Sequence, residues 1–396
     1  MFLTEGIKLT PFDNQRWVVN TNEGRNFLVN HATSKLIEIL SNAKNDEEAY
    51  GHFTNHFKVS IDPLGFKKLV NEKLGGYNIL QNDSVETRPS LQSVYLKLKV
   101  LLINDKWSGI LSKPLQFFFK PSIFWYALCG TVVFIMATFF TFSPPVNSTN
   151  YTLLVCLIYA TMLIHELGHI GACAKYGLKH GGIGFGFYVL LPVLYADITN
   201  IWSADKERRI IANMGGIFAE VFYAAILIAI FLITGEDTFL MAAFSISTFV
   251  LWEFNPFVRF DGYWILSDIT STPNLIYKSE LIMKKAFSKI TLSNWAKRGF
   301  KLNSDRQTTL LFIYGILNTA LVFMVMGWVL LRFKSSVLEY PARIWSLFQK
   351  AIHLNFHLTD LDGQLITITI FYILIGRISW KYGNSFYQKI IAKKIF

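Results

Sequence analysis

The chain has 396 residues, of which 52% are hydrophobic and only 16% are charged. Soluble domains carry about 25% charged residues, so this composition points to a membrane protein and excludes an ordinary soluble enzyme. The formal net charge is +11, but the basic residues crowd the loops between apolar runs, which suits lipid-facing loops and argues against a nucleic-acid surface. Three cysteines, Cys129, Cys156 and Cys173, are unpatterned and offer neither a disulfide framework nor a metal knuckle.

The first residues, Met1-Phe2-Leu3-Thr4-Glu5, lack a charged segment followed by an apolar core, so no cleaved signal peptide is expected. Trp17-Val18-Val19 and Phe27-Leu28-Val29 flank Asn22-Glu23-Gly24 and predict a β-hairpin. A helix should follow with Leu36, Ile37, Ile39 and Leu40 on its buried side, then two more at about 46–57 and 62–74. A hairpin with three short helices predicts a small α+β, winged-helix-like cytosolic domain over 1–92. Residues 93–121 read as an interfacial linker, with strand-like alternation from Tyr95 to Val100, then Trp107 and Phe117-Phe118-Phe119 approaching a bilayer.

Six stretches approach the ~20 residues that a hydrocarbon core requires: 122–142, 151–173, 210–233, 238–256, 308–331 and 360–377. The fold class is therefore mainly α, a polytopic membrane protein with about six transmembrane helices. Its division is a membrane core over 122–275, a basic cytosolic segment over 276–307 and a C-terminal transmembrane region over 308–396. The connections at 143–150 and 234–238 carry no Lys or Arg, whereas 174–209 and 274–307 are rich in both. Positive-inside logic puts both termini and the two basic loops in the cytoplasm. The loop 334–359 is the exception, since it holds Lys334, Arg343 and Lys350 yet falls outside; its Ile344, Leu347, Phe348 and Ile352 predict an amphipathic helix on the membrane surface. Lys278 to Arg306 predicts a helix on the inner leaflet.

One apolar segment, Ile183 to Tyr195, is glycine-laced with Pro192 inside it. As a seventh span it would reverse the downstream topology, so a re-entrant β-hairpin is the preferred reading. Gly184, Phe185, Gly186 and Phe187 are then candidates for substrate binding, on a free edge that offers backbone groups to an extended peptide.

The second span contains His165-Glu166-Leu167-Gly168-His169. On a helix, HExxH sets two imidazoles on one face for a single zinc ion, with a glutamate able to act as general base. His165 and His169 are the candidate metal ligands, and ionisable groups within a span are costly unless they function. A catalytic zinc usually takes three protein ligands. The fourth span ends in Asn255-Pro256-Phe257-Val258-Arg259-Phe260-Asp261-Gly262. Both spans run outside to inside, so Asp261 falls at matching depth, and Asn255-Pro256 would break the helix there. Glu220, within the third span, is a further intramembrane candidate, for substrate contact or as a fourth ligand; Glu253 ranks behind it. Asp197 could steady the hairpin or touch substrate. The pairs His52/His56 and His353/His357 share the spacing but have no glutamate within the pair.

HExxH paired with an NPxxxxDG-like motif resembles the site-2 protease family of intramembrane zinc peptidases. The resemblance implies zinc held by His165, His169 and Asp261, Glu166 as general base, and Asn255 as the residue that holds or polarises the substrate backbone. Leu191-Pro192-Val193-Leu194-Tyr195-Ala196-Asp197, Asp261-Gly262-Tyr263-Trp264 and Pro273-Asn274-Leu275 look like the peptide zinc metalloprotease branch, linked to bacterial peptide export and maturation. The N-terminal hairpin and Asn30-His31-Ala32-Thr33 are similar to PqqD-like modules, which bind leader segments of ribosomally made peptides. The partners implied are a peptide or precursor-peptide substrate, membrane lipid, and a transporter or peptide-modifying enzyme, with no nucleic acid. The expected place is the bacterial cytoplasmic membrane, with the active site near its cytoplasmic side. Two other functions stay open: a non-proteolytic binding or export component with structural zinc, and a regulated intramembrane protease acting on a signalling protein.

Overall fold

A computed structural model of the chain describes residues 3, 6–13, 15–21, 26–77, 79–80, 96–145, 148–188, 191–288, 306–353, 363–373, 375–377 and 379–380. The chain divides into two compact units, Met1–Asn274 and Leu275–Phe396.

The first unit begins with an antiparallel sheet of β1 (Lys8–Pro11), β2 (Arg16–Asn20) and β3 (Asn26–Asn30), in that order. The turn at 22–24 lies outside the described residues. Three helices follow, α1 (His31–Asn42), α2 (Asp46–Phe57) and α3 (Pro63–Leu74). Each starts where a short polar side chain can satisfy a free backbone N–H. Asn30 accepts from Thr33 at 2.9 Å, Asn45 from Glu48 at 2.8 Å and Asp62 from Gly65 at 3.2 Å. The motif Asn30-His31-Ala32-Thr33 is thus the start of α1. Leu36, Ile37 and Leu40 then face Val19, Phe53, Phe66 and Val70 in a small core of their own.

The remainder of this unit contains β4 (Leu96–Ile103), α4 (Asp105–Leu111), α5 (Lys113–Gln116), α6 (Pro121–Thr141), α7 (Tyr151–Lys175), β5 (Ile183–Tyr188), β6 (Leu191–Ala196), α8 (Lys206–Asn213), α9 (Gly215–Thr234), α10 (Asp237–Glu253) and α11 (Asp261–Ile269). The second unit holds α12 (Leu275–Ser288), α13 (Arg306–Arg332) and α14 (Lys334–Ile352). Among the described residues four helices, α6, α7, α9 and α13, are long and apolar enough to cross a membrane. The other two expected spans are shorter: α10 has 17 residues, and the last is an apolar helix over Gly363–Arg377. The stretch predicted as one span over 210–233 is two helices, α8 and α9, divided at Met214. The division lets glycines meet. A Cβ on Gly168 would lie 2.1 Å from the Gly215 carbonyl oxygen, so α7 and α9 touch backbone to backbone there.

The hairpin is β5 and β6, paired from Ile183↔Ala196 to Tyr188↔Leu191. It is not free on both sides. β4 pairs antiparallel with β5, making a sheet of order β4-β5-β6. All four candidate residues lie in the central strand: Gly184, Phe185 and Phe187 have partners on either side, whereas Gly186 pairs with Val193 of β6 and faces a register shift in β4, and the open edges belong to β4 and β6. Periodicity found the strand near Tyr95–Val100, but a pairing some 80 residues distant carries no local signal.

In the second unit, α14 is the amphipathic helix expected on the 334–359 loop: Val337 is buried while Trp345, Phe348 and Ile352 are exposed. Of the Lys278–Arg306 stretch, α12 covers the part up to Ser288, and 289–305 lie outside the described residues. His357 does as well.

Candidate metal centre

His165 and His169 lie one turn apart on α7, where both rings point at the start of α11. Their Nε2 atoms are 3.1 Å apart, and Asp261 Oδ2 is 3.4 Å from the first and 3.2 Å from the second. His169 Nδ1 is 2.8 Å from the Ala212 carbonyl oxygen. A carbonyl can only accept, so Nδ1 carries the proton and Nε2 presents a lone pair. Two ring nitrogens and a carboxylate oxygen thus form a triangle with edges of 3.1–3.4 Å, His169 buried and His165 and Asp261 partly so. Asp261 Oδ2 has no hydrogen-bond partner there. Ligand atoms held tetrahedrally at zinc distances are about 3.3–3.4 Å apart, so this donor set fits one such ion.

On the α9 side the rings sit close to the backbone. A Cβ on Gly216 would sit 2.5 Å from His165 Cε1 and 2.6 Å from the Nε2 atoms of both histidines. Rings lying this close to the α9 backbone explain a glycine here. We expect Gly216→Ala to lower zinc content at least several-fold with helix content unchanged, checked by metal analysis and circular dichroism; full zinc occupancy would contradict this packing. The opposite face of the site is made by the break after α10. Asn255 Oδ1 accepts from the Phe257 N–H at 2.9 Å, closing a turn before Pro256 can extend the helix. Gly262 then packs on Phe254, where a Cβ would be 2.3 Å from backbone atoms.

Glu166 is 9% exposed, and its carboxylate lies against the backbone N–H of Ala196 at the end of β6. That contact brings the open sheet edge to the general-base candidate. Asn255, with Oδ1 engaged locally, has its amide N–H₂ to offer.

Glu220 is 4% exposed, and its Oε1 is 3.4 Å from His165 Nδ1. Glu253 Oε2 approaches the same nitrogen at 3.5 Å. Both carboxylates therefore face the ring nitrogen remote from the triangle, where His165, Glu220 and Glu253 form a second cluster of possible ligand atoms around the same ring. Glu253, which ranks behind Glu220 from sequence, comes as near to this ring; its place two residues before Asn255, at the end of a span, is the signal that finds it. Asp197 holds the Thr199 N–H at 3.2 Å and its hydroxyl at 2.6 Å, a turn-closing arrangement. His31 packs on Trp17 with ring centroids 4.8 Å apart.

Over 201 residues the chain is 23% identical to a Bacillus subtilis (strain 168) protein named "Putative peptide zinc metalloprotease protein YydH", covering 48% of this chain and 79% of that protein. No family profile and no solved structure matches the chain. The likeness and the donor set support a metalloprotease at a coarse level.

Proposed function

We propose that the chain is a membrane-embedded zinc metalloendopeptidase of the site-2 protease type, acting on a small, ribosomally made peptide during maturation or export. The observation that carries this reading is the triangle of His165, His169 and Asp261, with Glu166 beside it. Zinc bound there would supply Lewis acidity, polarising a carbonyl and acidifying water. Glu166 takes a proton from the attacking water and returns it to the leaving amine, so water adds across the C–N bond and no proton is lost. Asn255 donates its amide N–H to the carbonyl oxygen on which charge develops. A substrate laid along the β6 edge meets Glu166 in extended form, with its carbonyls free of helical hydrogen bonds. Spans at α10 and 363–377 complete six crossings, with both termini and the site towards the cytoplasm.

The N-terminal module is the proposed recognition element, in keeping with its PqqD-like resemblance. β3 is an edge strand, and a cavity of about 540 Å³ beside it is lined by Leu28, Val29, Asn30, Thr33, Glu72, Lys73 and Tyr77. A leader segment could add a strand to β3 and place side chains against α3. The rival reading, structural zinc in a binding or export component, needs a fourth protein ligand. Glu220, the candidate for it, lies against His165 Nδ1 and not Nε2, which counts against that reading.

The test is mass spectrometry of small peptides encoded by neighbouring genes, incubated with the purified full chain with and without a chelator. Shorter products are expected only without chelator, and not with Glu166→Gln. Peptides bound but left intact in both samples would favour the binding component.

A further inference from the structure

Phe12, in the turn between β1 and β2, is 4% exposed yet takes no part in the core of its own module. Its ring stacks on Trp202 with centroids 5.9 Å apart, and the Arg209 guanidinium lies 4.1 Å from its centre. Two hydrogen bonds fasten the same face. Arg16 Nη2 donates to the Ser271 carbonyl at 2.5 Å, and Asn26 Nδ2 donates to Thr199 at 2.9 Å. Arg16 is itself held by Asp13 through Nε at 2.8 Å. Burial pushes the Asp13 carboxyl up, but the hydrogen bonds from Arg16 and Gln15 outweigh it and hold the group below the usual carboxylate range.

Arg209 is fully enclosed, with 0% exposure. A buried guanidinium is tolerated only when paired and hydrogen-bonded. Its Nε donates to Asp268 Oδ1 at 2.7 Å and its Nη1 to the Ala204 carbonyl at 2.8 Å, while Asn213 donates to the other Asp268 oxygen at 2.6 Å. Nη2 has no hydrogen-bond partner, and the Phe12 ring supplies a cation–π face to the guanidinium.

The two helices joined in this way also support the metal ligands. α8 carries Arg209 and Asn213, and between them Ala212, whose carbonyl fixes the His169 ring. α11 carries Asp268 about two turns beyond Asp261. We infer that Phe12 is a positioning residue: seated on Arg209, it clamps α8 to α11 and so keeps His169 and Asp261 converged. The metal centre is then fully formed only when the N-terminal module is docked, and recognition and hydrolysis are coupled through one ring. This inference rests on the metal reading above.

The test uses the full chain in detergent, with zinc affinity measured by chelator competition and ligand geometry by the visible absorption of the cobalt-substituted protein. Phe12→Ala should weaken zinc binding several-fold, less than the ~10–100-fold that follows loss of a partner touching a ligand, and should shift the cobalt bands. Phe12→Tyr, which keeps the ring, should restore both. If Phe12→Ala does not fold, Phe12→Leu, which keeps apolar volume without the ring face, should show the same losses in part. Wild-type zinc affinity and cobalt bands in the folded variants would overturn the coupling while leaving the metal centre standing. A wild-type chain that takes up neither metal would overturn both.

Discussion

Glu166→Gln is expected to lower peptide hydrolysis by about 10²–10⁴-fold, the range a positioned general base supplies, while zinc content stays at the wild-type level. The amide is nearly isosteric, so the buried contact with Ala196 can persist. What disappears is the ability to take a proton from water and return it to the amine. Because Glu166 is outside the triangle of donor atoms, its loss removes no ligand. Zinc content and cleavage should be measured on the same preparation. Loss of zinc together with activity would make Glu166 structural.

Asp261→Ala has the opposite signature, with metal lost first and activity lost as a consequence. Two imidazoles remain, but their Nε2 atoms, 3.1 Å apart, no longer have a carboxylate to complete the set. The affinity loss should exceed the ~10–100-fold that follows removal of an outer partner. Glu220→Gln and Glu253→Gln provide the comparison, since both face His165 Nδ1. They should weaken zinc binding within that smaller range. An Asp261→Ala protein that retained zinc as tightly as these two would remove Asp261 from the ligand set.

Local signals account for most of what could be read from the chain beforehand. The imidazole pair on α7 follows from its spacing, and Asp261 follows from the depth that loop charges and Asn255-Pro256 imply. The helix over Asp46–Phe57 and the strands at Ile183–Tyr188 and Leu191–Ala196 follow from periodicity and turn residues. Features built from distant contacts were not legible. The role of β4 as a sheet strand has no local signal, because its partner Phe185 is far along the chain. Arg209 looked like one more basic loop residue, since its ion pair with Asp268 exists only after α8 and α11 pack. Met214 gave no sign of a helix break, because the break serves the backbone contact of Gly168 with Gly215.

In the proposed centre, side chains from two helices, His165 and His169 on one and Asp261 on another, hold a single zinc ion. X-ray absorption at the zinc edge of the purified full chain tests it most directly. Two imidazole nitrogens and a carboxylate oxygen at about 2.0–2.1 Å are expected, with no sulfur in the first shell, and the imidazole pair should survive Glu166→Gln. A sulfur-containing shell, a single imidazole, or no bound zinc at all would contradict the account.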